Sequence, residues 1–110
     1  MPDQLLPIQP VDSAAYNPEK MGKSTLFHSA QMLVGLNAFE AGQEHALHAH
    51  EAMDKYYQVL QGEGVLLLEG SEAPMRQGAA VAIPGGVAHG IRNDGPERLL
   101  VLAVLAPGPS

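Results

Sequence analysis

The sequence predicts an all-β domain, a sandwich or small barrel, and three observations carry that expectation. Short apolar runs alternate with the two-residue period of a strand, Gly- and Pro-rich turns separate them, and no stretch has convincing amphipathic-helix periodicity. A chain of 110 residues is long enough to bury one core and too short for a second domain.

Residues 1–23 carry Pro2, Pro7, Pro10 and Pro18. Proline fixes φ and removes a backbone donor, so this stretch is expected to be an extended arm preceding a barrel of residues 24–110. Leu5, Leu6, Ile8 and Val11 give the arm apolar surface to lay against the barrel or a partner subunit. Residues 24–39 read as one or two strands. Met32, Val34, Leu36 and Ala38 fall on one face and Leu33, Gly35, Asn37 and Phe39 on the other. Both faces are mostly apolar, as in a strand whose outer face is also covered.

Gly42 permits the turn into a histidine-bearing strand, and residues 56–60 continue as a strand. A turn at Gly62-Glu63-Gly64 leads into a strand over 65–69, and residues 70–74 read as a second turn. Residues 79–83 form a short strand, Pro84-Gly85-Gly86 a tight turn, and residues 87–93 the next strand. The Asn93-Asp94-Gly95-Pro96 turn precedes a closing strand over 98–105 and a PGPS tail. Seven or eight strands result.

The bulk numbers exclude several functions. The longest apolar run, residues 99–106, is too short for a membrane-spanning helix and suits a buried strand. A formal charge of −6, with acidic residues scattered along the chain, disfavours nucleic acid and anionic membranes, both of which need a basic surface. Without cysteine there is no disulfide, thiolate ligand or Cys nucleophile. The N-terminus lacks the basic start and apolar core of a signal peptide, so a cytoplasmic location is expected.

The stretch richest in chemistry is residues 42–62, GQEHALHAHEAMDKYYQVLQG. Side chains two apart on a strand share a face, so His48 and His50 aim at one point, as two ligands of a transition metal do. A second stretch, residues 78–93, GAAVAIPGGVAHGIRN, contains one histidine, His89.

Together these stretches resemble the paired signatures of the cupin superfamily. Gly42, His48, His50 and Gly62 fit the first signature, while Gly78, Pro84, Gly86, His89 and Asn93 fit the second throughout. The resemblance implies a double-stranded β-helix, or jelly-roll barrel, and a homodimer. It also implies a metal site of His48, His50 and His89 for Fe(II), Mn(II), Ni(II), Cu(II) or Zn(II). Similar three-histidine cupins include iron dioxygenases, and Lewis-acid hydrolysis or isomerisation suits the same site. The small-molecule ligand is unspecified, and a non-catalytic binding or sensor module is the alternative.

One position departs from the pattern: Lys55 stands where the family usually places a metal-binding glutamate. The ammonium can pair with Asp54 or Glu44, bind an anionic ligand, or mark a site without metal. A bulge can alternatively turn Asp54 inward as a fourth ligand. Strand parity sends Lys55, Tyr57 and Val59 into the cavity and Tyr56, Gln58 and Leu60 outward. Lys55, Tyr57 and His45 are the candidate catalytic side chains, His45 from the turn before His48. Gly86 and Asn93 are assigned to turn geometry, and Met53 and Met75 to core or pocket wall.

Overall fold

The computed structural model of the protein describes residues 5–109, so Pro2 and Ser110 lie outside the described residues. After a 3-10 turn at Pro10–Ser13, nine strands follow. They are β1 (Gly22–His28), β2 (Leu33–Phe39), β3 (Glu44–His48), β4 (Asp54–Gln61), β5 (Gly64–Leu68), β6 (Ser71–Met75), β7 (Ala80–Ile83), β8 (His89–Arg92) and β9 (Leu99–Ala106). One sheet has the order β1-β2-β9-β4-β7 and the other β3-β8-β5-β6. All pairings are antiparallel. No helix among the described residues is long and apolar enough to cross a membrane.

Strand alternation explains the core. Leu99, Val101 and Ala103 of β9 point between the sheets, where they meet Phe39, Tyr57, Val59, Leu66 and Ile91. Leu100 and Leu102 point the other way and join Leu36, Ala38, Leu26 and Leu60 on the outer face of the five-stranded sheet. That face is covered by the chain before β1, through Ala14 and Tyr16. Both faces of β9 are therefore covered from Leu99 to Val101 and partly covered beyond, which suits its unbroken apolar run. The arm's Leu5, Leu6, Ile8 and Val11 are exposed, so its contact with the barrel is made nearer to β1 than those residues.

Two local readings are corrected. Residues 71–75 form β6 and not a turn, pairing with β5 from Gly64↔Met75 to Leu68↔Ser71. Pro74 is tolerated because β6 is an edge strand, where a missing amide hydrogen removes no ladder bond. The histidine strand stops at His48, leaving His50 in the connection to β4.

Asn93 ties the barrel's ends together. Its fully buried amide donates to the carbonyls of Phe39, Glu40 and Glu97 and accepts from the Gly95 amide at 3.1 Å. Gly86, at φ +88, makes the turn that leads to β8. Asn93→Ala removes both amide N–H donors and the acceptor of the Gly95 amide, and with about 1 kcal/mol per lost bond the variant is expected to lose about 3 kcal/mol in urea unfolding. A change below about 0.5 kcal/mol, the level of a neutral surface substitution, contradicts this role.

Candidate functional site

The site is built by the ladder between β3 and β8. Its register pairs Glu44 with Arg92 and His45 with Ile91, then shifts, so that His48 sits directly opposite His89. Residues 45 and 48 have opposite parity in a regular strand. The irregularity between them cancels that difference, and the His45 and His48 rings stack with centroids 4.1 Å apart. Gly90 makes the close approach possible, because a Cβ there collides with the His45 carbonyl. His48 and His89 have ring centroids 4.4 Å apart, His48 and His50 5.0 Å, and His50 and His89 6.4 Å.

Backbone carbonyls select the tautomers. His48 Nδ1 lies 2.8 Å from the Ala46 carbonyl and His89 Nδ1 2.8 Å from that of Val87. A carbonyl only accepts, so each Nδ1 carries the proton and each Nε2 is a bare lone pair. The two Nε2 atoms then differ. His89 Nε2 is buried without a partner, whereas His48 Nε2 receives Lys55 Nζ at 3.1 Å.

Lys55 arrives from β4 on the opposite sheet. Only 6% exposed, it also donates to the Tyr57 hydroxyl at 3.2 Å, two residues along the same face. Among the described residues the ion pairs belong to Arg92 and Arg98, and Lys55 has none. Burial, reinforced by the charge of Lys23, lowers its pKa to about 8. Burial also drives the Tyr57 phenol upward. The histidines move down, chiefly by burial: His45 to about 3 and His89 to about 4, with His48 and His50 lowered as well. All four are neutral at pH 7.

Beside these groups is a cavity of about 430 Å³, lined by His45, His48, His50 and Lys55 at one end. Leu33, Met53, Ala103 and Leu105 supply apolar wall, and Lys23 and Pro109 also border it. Among the described residues no Asp or Glu side chain lines it, although the chain carries twelve.

The fold therefore brings His45, His48, His50, His89, Lys55 and Tyr57 together. Asp54 is directed elsewhere, its Oδ1 accepting from the Gly85 amide at 2.9 Å. His28 contacts the Pro109 carbonyl at 2.8 Å. Sequence reading missed Lys23 because it stood at the end of a proline-rich arm. Its parity with Thr25 at the start of a strand was the available signal.

The Cupin domain family model matches residues 35–105. The chain belongs to the cupin family. A Thermotoga maritima relative named oxalate-binding protein is 29% identical over 85 residues, 77% of this cupin and 69% of that protein. A crystal structure of a Thermus thermophilus protein is 42% identical, with TM-score 0.86 over 93% of this chain and 98% of that one. KdgF from Halomonas, at 24% identity and TM-score 0.77 over 84% of this cupin and 83% of that chain, shares the fold.

The arrangement does not fit the divalent metal expected of a three-histidine cupin. A ligated metal stands about 2.1 Å from an imidazole nitrogen along its lone pair, and Lys55 Nζ occupies that direction at His48. A protonated lysine about 4 Å from a divalent ion adds repulsion of about 8 kcal/mol at an effective dielectric of about 20. Among the described residues, no group of three or more His, Cys, Asp or Glu side chains is placed to hold a metal ion.

The depressed histidine pKa values fix a sign for acid stability. Below the unfolded value of 6.5 the unfolded chain takes up protons that folded His89 and His45 refuse until about 4 and 3. Stability thus falls as pH falls through that window. Thermal unfolding is expected to show a steady decrease in Tm from pH 7 to about 4.5, before most carboxylates titrate. A Tm constant over that range rules out buried neutral imidazoles.

Proposed function

We propose that this cupin binds a small organic acid at the barrel mouth, with Lys55 receiving the carboxylate. One observation carries the reading: a buried ammonium whose hydrogen-bond partners are His48 Nε2 and the Tyr57 hydroxyl, beside a cavity with no acidic side chain in its wall. Burying a cation is costly unless an anion compensates it, and the described residues supply none. A bound carboxylate completes the charge-assisted hydrogen bonding that the protein leaves open.

His89 adds a requirement. Its buried Nε2 is a bare acceptor without a partner, set behind the cavity wall beside His48, so an O–H of the ligand, from a hydroxyl or a protonated carboxyl, suits it once the rings in front give way. The name of the oxalate-binding relative supports an acid ligand. So does the cavity, whose volume is within the roughly 300–1,000 Å³ usual for small-molecule sites.

A metal-dependent enzyme, dioxygenase-like or isomerase- or hydrolase-like, is the second reading. The free Nε2 of His89 and the matching tautomers of His48 and His89 favour it. It requires Lys55 to leave His48. The homodimer and the cytoplasmic setting expected of this cupin belong to the same proposal, and light scattering of the purified chain tests the dimer.

Calorimetry on untagged, chelator-treated protein with oxalate, glycolate and acetate tests the first reading. Wild type is expected to bind at least one acid, glycolate more tightly than acetate. Lys55→Met is expected to weaken binding by at least about tenfold, the loss of one charge-assisted bond. Binding unchanged in Lys55→Met overturns the reading. So does stoichiometric metal in protein purified without chelator that disappears in His48→Ala, with no acid bound by the metal-free form.

A further inference from the structure

The pocket has a second cation. Lys23 on β1 pairs with Asn37, Asn37 with Val101, and Val101 with Val59. Directly paired residues share a face, and Val101 and Val59 belong to the core between the sheets, so Lys23 lies on the inward face. Its side chain is exposed at the mouth, borders the same cavity as Lys55, and makes no ion pair among the described residues. Its charge is felt across the cavity by Lys55, His45, His48 and His50. Glu44 shares a neighbouring hollow with Lys23 and Lys20 but forms no ion pair with either.

Building on the organic-acid reading, we propose that Lys23 is the second pole of the site, and that the ligand is a dianion whose two acidic groups are separated by an apolar chain. Lys55, buried, takes one group, and Lys23, exposed, takes the other. Their strands are three positions apart in the order β1-β2-β9-β4, about 14 Å at the usual strand spacing before the side chains lean inward. Oxalate, with its carboxylates on adjacent carbons, is too short to reach both. Leu33, Met53, Ala103 and Leu105 offer apolar contact to the linking carbons. Lys23 is thus a specificity-determining residue, selecting diacids over monoacids of the same length.

The test is calorimetry of wild type, Lys23→Met and Lys55→Met with oxalate, succinate, glutarate and adipate, and with pentanoate and hexanoate as monoacids. Wild type is expected to prefer the longer diacids over length-matched monoacids by about fivefold, the scale of one solvent-exposed ion pair. Added salt should shrink this preference. Lys23→Met should abolish it by weakening diacids more than monoacids of the same length, and Lys55→Met should weaken both classes. Equal binding of mono- and diacids by wild type, or a preference that survives in Lys23→Met, overturns the dianion proposal and leaves the Lys55 reading intact. Failure of every acid to bind wild type overturns both.

Discussion

The register between β3 and β8 is the constraint from which the site follows. His48 and His89 lie 41 positions apart in the chain, yet become directly opposed partners because the ladder aligns them. The shift between His45 and His48 turns a third imidazole to the same side, and Gly90 supplies the clearance. Slip the ladder by one residue and each inward ring turns outward, since side-chain direction has a period of two. The imidazoles are thus held by backbone hydrogen bonds, and the carbonyls of Ala46 and Val87 then fix ring orientation. Little conformational freedom remains to be lost when a ligand arrives, which favours affinity.

Against this rigid cluster, Lys55 reverses the electrostatic character of the site. A glutamate on the same inward position of β4 would bring a negative charge to imidazole lone pairs and attract a cation. The lysine brings a positive charge, and its N–H engages the lone pair of His48. Lys23 works in the same direction from the mouth. In a chain of net charge −6, a cavity lined by two lysines and, among the described residues, by no Asp or Glu side chain is a local inversion of sign. Such a field draws small anions inward whatever the charge of the whole molecule.

The fold was largely legible because strand period, turn residues and two gapped signatures agreed independently. His48, His50 and His89 could be grouped from the signatures, and inward parity along β4 placed Lys55 at the cavity, whereas Tyr57 and Val59 share its face but are sealed in the core and do not line the cavity. Other features depended on information that residue patterns do not carry. His45 reaches the cluster through a ladder irregularity, and a one-residue slip leaves no mark on an alternating run. Residues 70–74 read as a turn from their Gly, Ser and Pro content, but a proline is tolerated in an edge strand, and β6 is one. The partner of Lys55 was least legible: nearby Asp54 and Glu44 suggested an ion pair, whereas Asp54 caps the Gly85 turn and the ammonium faces an imidazole and a phenol.

These features have an energetic consequence that joins stability to binding. Burying Lys55 without a counter-ion is a cost carried by the folded state, visible in its lowered pKa. The rest of the barrel, with its two-sided β9 and the Asn93 tie, is held by contacts in which Lys55 takes no part and can sustain that cost. An anion bound at Lys55 relieves it, favouring the charged form and drawing the pKa back up. Because the unfolded chain offers no comparable pocket, such a ligand stabilises the folded state in proportion to the logarithm of its occupancy ratio. On the organic-acid reading proposed above, the penalty that Lys55 imposes on the barrel is the source of selectivity: a neutral molecule of the same shape fills the same space but leaves the ammonium uncompensated.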